Sequence, residues 1–74
     1  METIAVISGA EAFCKNFKTT KCGNIVIGDT RYVRISDESK CCGYQFDDFQ
    51  ILGRPELNDI NVSDCVDAVK LRIR

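Results

Sequence analysis

Apolar and polar residues alternate along several short stretches of this chain, and such runs are typical of β-strands that are buried on one face. The first run, Thr3–Ile7, is rich in β-branched side chains and is followed by Ser8 and Gly9, which end the strand. The last run alternates apolar with basic residues: Val69, Lys70, Leu71, Arg72, Ile73 and Arg74. The pattern therefore predicts one strand near the start of the chain and one at its end.

Residues Asn24–Ser36 predict a β-hairpin, because a Gly-Asp dipeptide separates two apolar runs. A three-residue loop, Gly28–Thr30, pairs Ile25 with Val33 and places the aliphatic side chains of both strands on one buried face. The opposite face is half-apolar, and it is either solvated or a contact site for a partner. Its three candidate partner-binding residues are Val26, Tyr32 and Arg34.

Two further stretches allow more than one interpretation. In residues 10–20, Phe13 and Phe17 stand four apart as on a helix face, but threonines and a glycine follow, and we interpret the stretch as a strand with a bulge. Residues 41–53 form either one strand or a tight hairpin about residues 47–48. We prefer the hairpin because it gathers four apolar side chains on one face. A polar stretch after residue 55 is expected to contain one helical turn.

Six or seven short strands without a strong amphipathic helix predict a single all-β domain over residues 1–74. The expected architecture is a small six-stranded antiparallel β-sandwich or barrel. A chain of 74 residues buries only about 60% of its unfolded surface, so an additional stabilising element is expected.

Disulfide bonds are the expected source of that additional stability. Five cysteines with no C-x-x-C spacing and no histidine disfavour structural zinc and favour two disulfides with one free thiol, in a pairing that the sequence leaves open. Such bridges predict secretion, and the lack of a signal peptide is explained if Met1 was added to a mature chain. The disulfide candidates are Cys14, Cys22, Cys41, Cys42 and Cys65.

Charge and composition weigh against several activities. A net charge of −1 provides no overall attraction to nucleic acid or to an anionic membrane, and no apolar run approaches the roughly 20 residues of a membrane span. A cysteine nucleophile normally needs a histidine as its base, and the chain has none. We therefore expect a non-enzymatic protein without a cofactor, and we expect it to be a monomer.

One family resemblance extends over much of the chain. The "IVIGDTRYVRIS" hairpin is followed by "ESKCCGYQF", in which a cysteine opens the fifth strand, and a last strand ends the chain. This order resembles the MAX effectors, small secreted fungal virulence proteins with a disulfide-linked, six-stranded β-sandwich. The resemblance implies an effector that binds host proteins. An exposed strand edge could accept a partner strand through backbone hydrogen bonds.

Two alternatives remain. "SDCVDAVKL" resembles the calcium-binding loop of βγ-crystallin domains and "YQFDDFQILG" their tyrosine corner, which implies a calcium-binding or structural domain. Asp64 and Asp67 alone are too few oxygen ligands for a calcium site. The other alternative is a reduced intracellular or viral protein whose cysteines are buried as small hydrophobic residues.

Overall fold

A mixed sheet of four strands forms the centre of the computed structural model, which describes all 74 residues. The elements are β1 Glu2–Ile7, α1 Ala10–Phe17, β2 Asn24–Ile27, β3 Thr30–Ile35, β4 Asp48–Ile51 and α2 Val62–Lys70. In the order β2-β3-β1-β4, strand β1 is parallel to both of its neighbours, and β2 is antiparallel to β3. The all-β, six-stranded antiparallel sandwich or barrel is therefore wrong, and the chain is a mixed α/β protein.

Strand β1 is the central element, and it is buried on both faces. Every residue from Thr3 to Ile7 has at most 9% of its surface exposed. A parallel strand covered on both sides requires a continuous apolar run, as "TIAVI" provides. The strand predicted at this position is confirmed.

The stretch over residues 10–20 contains a helix, so the strand expected there is wrong. Parallel neighbours such as β1 and β3 need a long crossover connection, and α1 forms part of it. Phe13 of α1 is fully buried, and its ring centroid lies 4.8 Å from that of Phe17. The helix ends at Lys18, which has a left-handed backbone (φ 52°) and donates its N–H to the carbonyl of Cys14.

The hairpin of β2 and β3 is confirmed, but its loop has two residues rather than three. Ile27 pairs with Thr30 and Ile25 with Tyr32, so only Gly28 and Asp29 lie in the turn. The three-residue loop was expected because it placed all aliphatic side chains on one face. Both faces of this sheet carry a core, so that constraint does not apply.

The tight hairpin predicted about residues 47–48 is also wrong. Only Asp48–Ile51 forms a strand, and it lies parallel to β1. Phe46 forms an isolated parallel bridge with Ile73, and its N–H donates to the carbonyl of Arg72 at 2.8 Å. These residues therefore contact two separate parts of the chain rather than each other.

The C-terminal strand is wrong because residues 62–70 form α2. Asn61 caps this helix by accepting a hydrogen bond from the N–H of Asp64 at 3.0 Å. The buried residues Cys65 and Val69 stand four apart, as a helix face requires, whereas Leu71 is 87% exposed. The helical turn expected after residue 55 is confirmed as a 3₁₀ turn at Pro55–Asn58.

Two apolar clusters fill the spaces on either side of the sheet. The α1-side cluster contains Ile4, Val6, Phe13 and Ile25, with Phe17, Tyr32 and Leu52 packed against it. The α2-side cluster contains Ala5, Ile7, Val33, Ile35, Cys41, Phe46, Ile60, Cys65 and Val69. Neither helix has the length and apolar character that crossing a membrane requires.

All five cysteines are free thiols, so the disulfides expected to stabilise the fold are wrong. The α2-side cluster contains Cys41 and Cys65 as apolar side chains. The expectation of secretion rested on disulfides, and it loses that support.

Candidate interaction edge

Strand β2 forms one edge of the sheet and has hydrogen-bonding groups that no neighbouring strand satisfies. The N–H of Arg34 donates to the carbonyl of Gly23, which sets the alternation of the antiparallel ladder. Ile25 and Ile27 therefore direct their backbone groups toward β3. Asn24 and Val26 direct theirs away from the sheet.

Two apolar side chains along this edge are accessible. Val26 is 49% exposed and Ile27 is 52% exposed. Natural edge strands often carry a lysine, a proline or a bulge that prevents pairing with another chain, and "NIVI" contains none of these. The edge therefore has unpaired backbone groups and also exposed apolar side chains.

A groove of about 420 Å³ runs beside β2 on the α1 side of the sheet. Phe17 at the end of α1 forms one wall, and Lys21 in the following loop provides the only charged side chain of the lining. The remaining lining residues are Thr19, Asn24, Ile25, Val26 and Ile27. Backbone groups at the edge and an apolar groove thus lie side by side.

The opposite edge of the sheet, at β4, is partly covered. The C-terminal segment meets the chain just before β4, where Phe46 bonds to Arg72 and accepts the N–H of Arg74 at 3.0 Å. The side chain of Arg74 also forms an ion pair with Asp47 at 3.3 Å. At β2, the side-chain amide of Asn24 donates to the hydroxyl of Tyr44 at 2.9 Å, but no further strand lies beside the edge. The edge at β2 is therefore the stronger candidate for pairing.

The three residues predicted to bind a partner do not share one face. The observed register places Val26 on the α2 side of the sheet and Tyr32 and Arg34 on the α1 side. Tyr32 packs on Phe17 with ring centroids 4.6 Å apart, and Arg34 donates to the carbonyls of Ser8 and Cys22. Only Val26 remains an accessible part of the edge, because the other two side chains have structural contacts.

Ile27 and Arg31 are the edge residues that the sequence-based prediction missed. A two-residue Gly-Asp loop, the usual length for this turn signal, would have placed Ile27 and Arg31 on opposite faces near the edge. Arg31 is half-buried, pairs with Val26 across the hairpin, and has a buried Nε with no hydrogen-bond partner.

The cysteines are distributed over three environments. The Sγ atoms of Cys14 and Cys22 lie 3.3 Å apart, and the hydrogen bond between these thiols is the main cause that raises the pKa of Cys14. Burial raises the pKa of Cys41 and of Cys65. Cys42 is exposed. Raised pKa values keep three of these thiols protonated at neutral pH, which makes them weak nucleophiles.

The largest groove, about 650 Å³, lies between the 3₁₀ turn at Glu38–Cys41 and α2. It is lined by Glu38, Ser39, Cys42, Asp64, Asp67, Ala68, Leu71 and Arg72. The acidic residues of the "SDCVDAVKL" motif lie on a helix rather than in a loop. No group of three or more Cys, Asp or Glu side chains is arranged to hold a metal ion.

No protein-family model, curated protein or solved structure matches this chain. The case for a function therefore rests on the geometry of the chain itself.

Proposed function

We propose that this protein is a non-enzymatic binding module that takes an extended segment of another protein at the open edge of β2. The segment becomes a fifth strand of the sheet and forms backbone hydrogen bonds with Asn24 and Val26. Strand addition of this kind derives affinity from main-chain bonds and specificity from alternate side chains. The single observation that supports the proposal most is the edge of β2, whose outward backbone groups are unpaired and whose Val26 and Ile27 side chains are exposed.

The surroundings of the edge support the same function. An added strand directs alternate side chains to opposite faces of the sheet. On the α1 side, the groove beside Phe17 receives one set of side chains. On the other side, the exposed Val26 contacts the second set. Both faces of the added strand therefore meet protein surface.

A proline at position 26 tests this function directly. The N–H of Val26 points away from β3, so Val26→Pro removes an outward donor without removing a bond of the β2–β3 ladder. Eight-residue random peptides are selected by display on the wild-type protein and then measured by fluorescence anisotropy. We expect the selected peptides to bind Val26→Pro at least roughly tenfold more weakly.

Val26→Thr is the matched control, because it changes the same side chain but keeps the N–H, and it should retain most of the binding. Hydrogen exchange followed by NMR should show that a bound peptide slows exchange at the amides of Asn24 and Val26. Peptides that bind Val26→Pro as tightly as wild type, or that protect amides elsewhere, would contradict the proposal.

A further inference from the structure

The charges of the chain are unevenly distributed about the sheet. The segment Phe13–Arg34, which contains most of α1 and all of the hairpin except Ile35, carries five basic side chains and one acidic, a net charge of +4. The remainder carries five basic and ten acidic side chains, a net charge of −5. The overall charge of −1 therefore conceals a basic segment, and strand β2 lies within it.

Two basic side chains flank this edge, one on each face of the sheet. Lys21 lines the groove on the α1 side. Arg31 lies on the opposite face, where it is the cross-strand neighbour of Val26. An added strand on β2 thus has a cation near each of its two faces.

Arg31 lacks the partners that a half-buried guanidinium normally has. Its Nε is enclosed and forms no hydrogen bond, and the one ion pair of the structure joins Asp47 to Arg74. Leaving a buried donor of a charged group unpaired destabilises the protein. Arg34, on the same strand, donates hydrogen bonds from its Nε and Nη1 atoms to two backbone carbonyls. The unsatisfied cation therefore lies on the strand next to the open edge, beside the exposed Val26.

The same charges disfavour a second copy of this chain as the occupant. Pairing two β2 edges antiparallel would bring the Lys21 and Arg31 side chains of both copies to one interface. Like charges juxtaposed across an interface oppose association. A partner of opposite charge is attracted to these side chains, whereas a second copy is repelled by them.

We infer that the occupant of the β2 edge is an acidic extended segment of a different protein, in which carboxylates alternate with aliphatic side chains. This inference rests on the proposed function and names the chemistry of its partner. Because alternate side chains of a strand share one face, the carboxylates lie together on the α2 side, where one of them meets the guanidinium of Arg31 beside Val26. The aliphatic side chains lie on the α1 side, where they pack on Ile27 and in the groove beside Phe17.

Three eight-residue probes test this inference. Valine alternates with glutamate in the first, with glutamine in the second and with lysine in the third, and binding is measured by fluorescence anisotropy at low and high salt. We expect the glutamate probe to bind at least roughly tenfold more tightly than the glutamine probe, and the lysine probe to bind most weakly. The advantage of glutamate should shrink as salt screens the charges.

Arg31→Gln should remove most of the preference for the glutamate probe. Lys70→Gln is the matched control, since it makes the same change in net charge on the exposed surface of α2 and should leave the preference unchanged. A circular-dichroism spectrum of each variant verifies that it is folded.

The outcomes separate the inference from the proposed function. Equal binding of the glutamate and glutamine probes, lost in Val26→Pro, would overturn the acidic partner and leave strand addition intact. Absence of binding by all three probes and by selected peptides would overturn both. A dimer that sedimentation detects in the wild type and not in Val26→Pro would identify a second copy as the occupant and overturn the inference.

Discussion

At the scale of single residues, environment separates side chains of the same type. Cys41 and Cys65 are buried in the α2-side cluster, Cys42 is exposed, and Cys14 shares a hydrogen bond with Cys22. A cysteine count alone could not distinguish these environments. Their reactivity can.

Thiol labelling should resolve these classes. In the native protein at neutral pH, we expect Cys22 and Cys42 to be alkylated first, since both are exposed, and Cys41 and Cys65 to react only after unfolding, since burial both shields them and raises their pKa. Iodoacetamide labelling followed by peptide mass spectrometry measures the order. In denaturant, all five must react. Equal rates for all five in the native protein would refute this arrangement.

Asp37 gives a prediction for pH. Hydrogen bonds from Ser39, first from its hydroxyl and also from its N–H at 2.9 Å, hold the pKa of Asp37 below its ordinary value of 3.8. A carboxyl with a lowered pKa in the folded state stabilises the protein above its unfolded pKa and loses that contribution as pH falls through the folded pKa. We expect Asp37→Asn to melt at a lower temperature than wild type at pH 7.

Thermal melts between pH 2 and pH 7 test this effect of Asp37. The difference between wild type and Asp37→Asn should disappear at the acid end of the series, where the wild-type carboxyl is protonated. A difference that is constant across the whole series would show that the charge of Asp37 contributes nothing to stability.

At the scale of elements, the turn of the hairpin determines which residues form the open edge. Gly28 has a positive φ of 60°, and Asp29 does not share it. Glycine at the first loop position is what a two-residue type II′ turn requires. This turn sets the register in which the backbone N–H and C=O groups of Asn24 and Val26 point away from the sheet.

Alanine substitutions at two glycines test this turn. Gly28→Ala should destabilise the protein by about 1–2 kcal/mol, because a Cβ is disfavoured in a left-handed backbone. Gly23→Ala is the matched control. It lies just before β2 without a positive φ, has no atom within 4 Å of an added Cβ, and should change stability little. Urea denaturation measures both, and equal effects would argue against the observed turn.

At the scale of the whole molecule, β1 joins the two clusters into one unit. Its side chains alternate between them, with Ile4 and Val6 on the α1 side and Ala5 and Ile7 on the α2 side. Neither cluster can lose its packing without exposing one face of the same central strand. We therefore expect the domain to unfold in a single step.

The two tyrosines allow this cooperativity to be measured, because each packs on a different cluster and the chain has no tryptophan. Tyr32→Phe leaves Tyr44 as the reporter of the α2 side, and Tyr44→Phe leaves Tyr32 as the reporter of the α1 side. In each variant, the urea midpoint from tyrosine fluorescence should equal that from circular dichroism. Separate midpoints would show that the two faces unfold independently.

Local signals in the sequence determined some elements by themselves. The β-branched run of Thr3–Ile7 specified β1, and the Gly-Asp turn signal specified a hairpin at residues 24–35. The sequence also contained the N-cap and the helical spacing of α2 in Asn61, Cys65 and Val69. The alternation of apolar and basic residues over the last six positions predicted a strand instead, and it obscured these helix signals.

Only the tertiary structure decided the fold class, the faces of the hairpin and the open edge. In a chain of 74 residues, runs of five to eight residues fit a helix or a strand equally well, so contacts between distant segments select one of them. The parallel pairing of β1 with β3 and β4 is such a contact. It requires α1 as a connection, and it places a core on both faces of the sheet. The two-residue register of the hairpin fits that arrangement, and the edge at β2 is left uncovered.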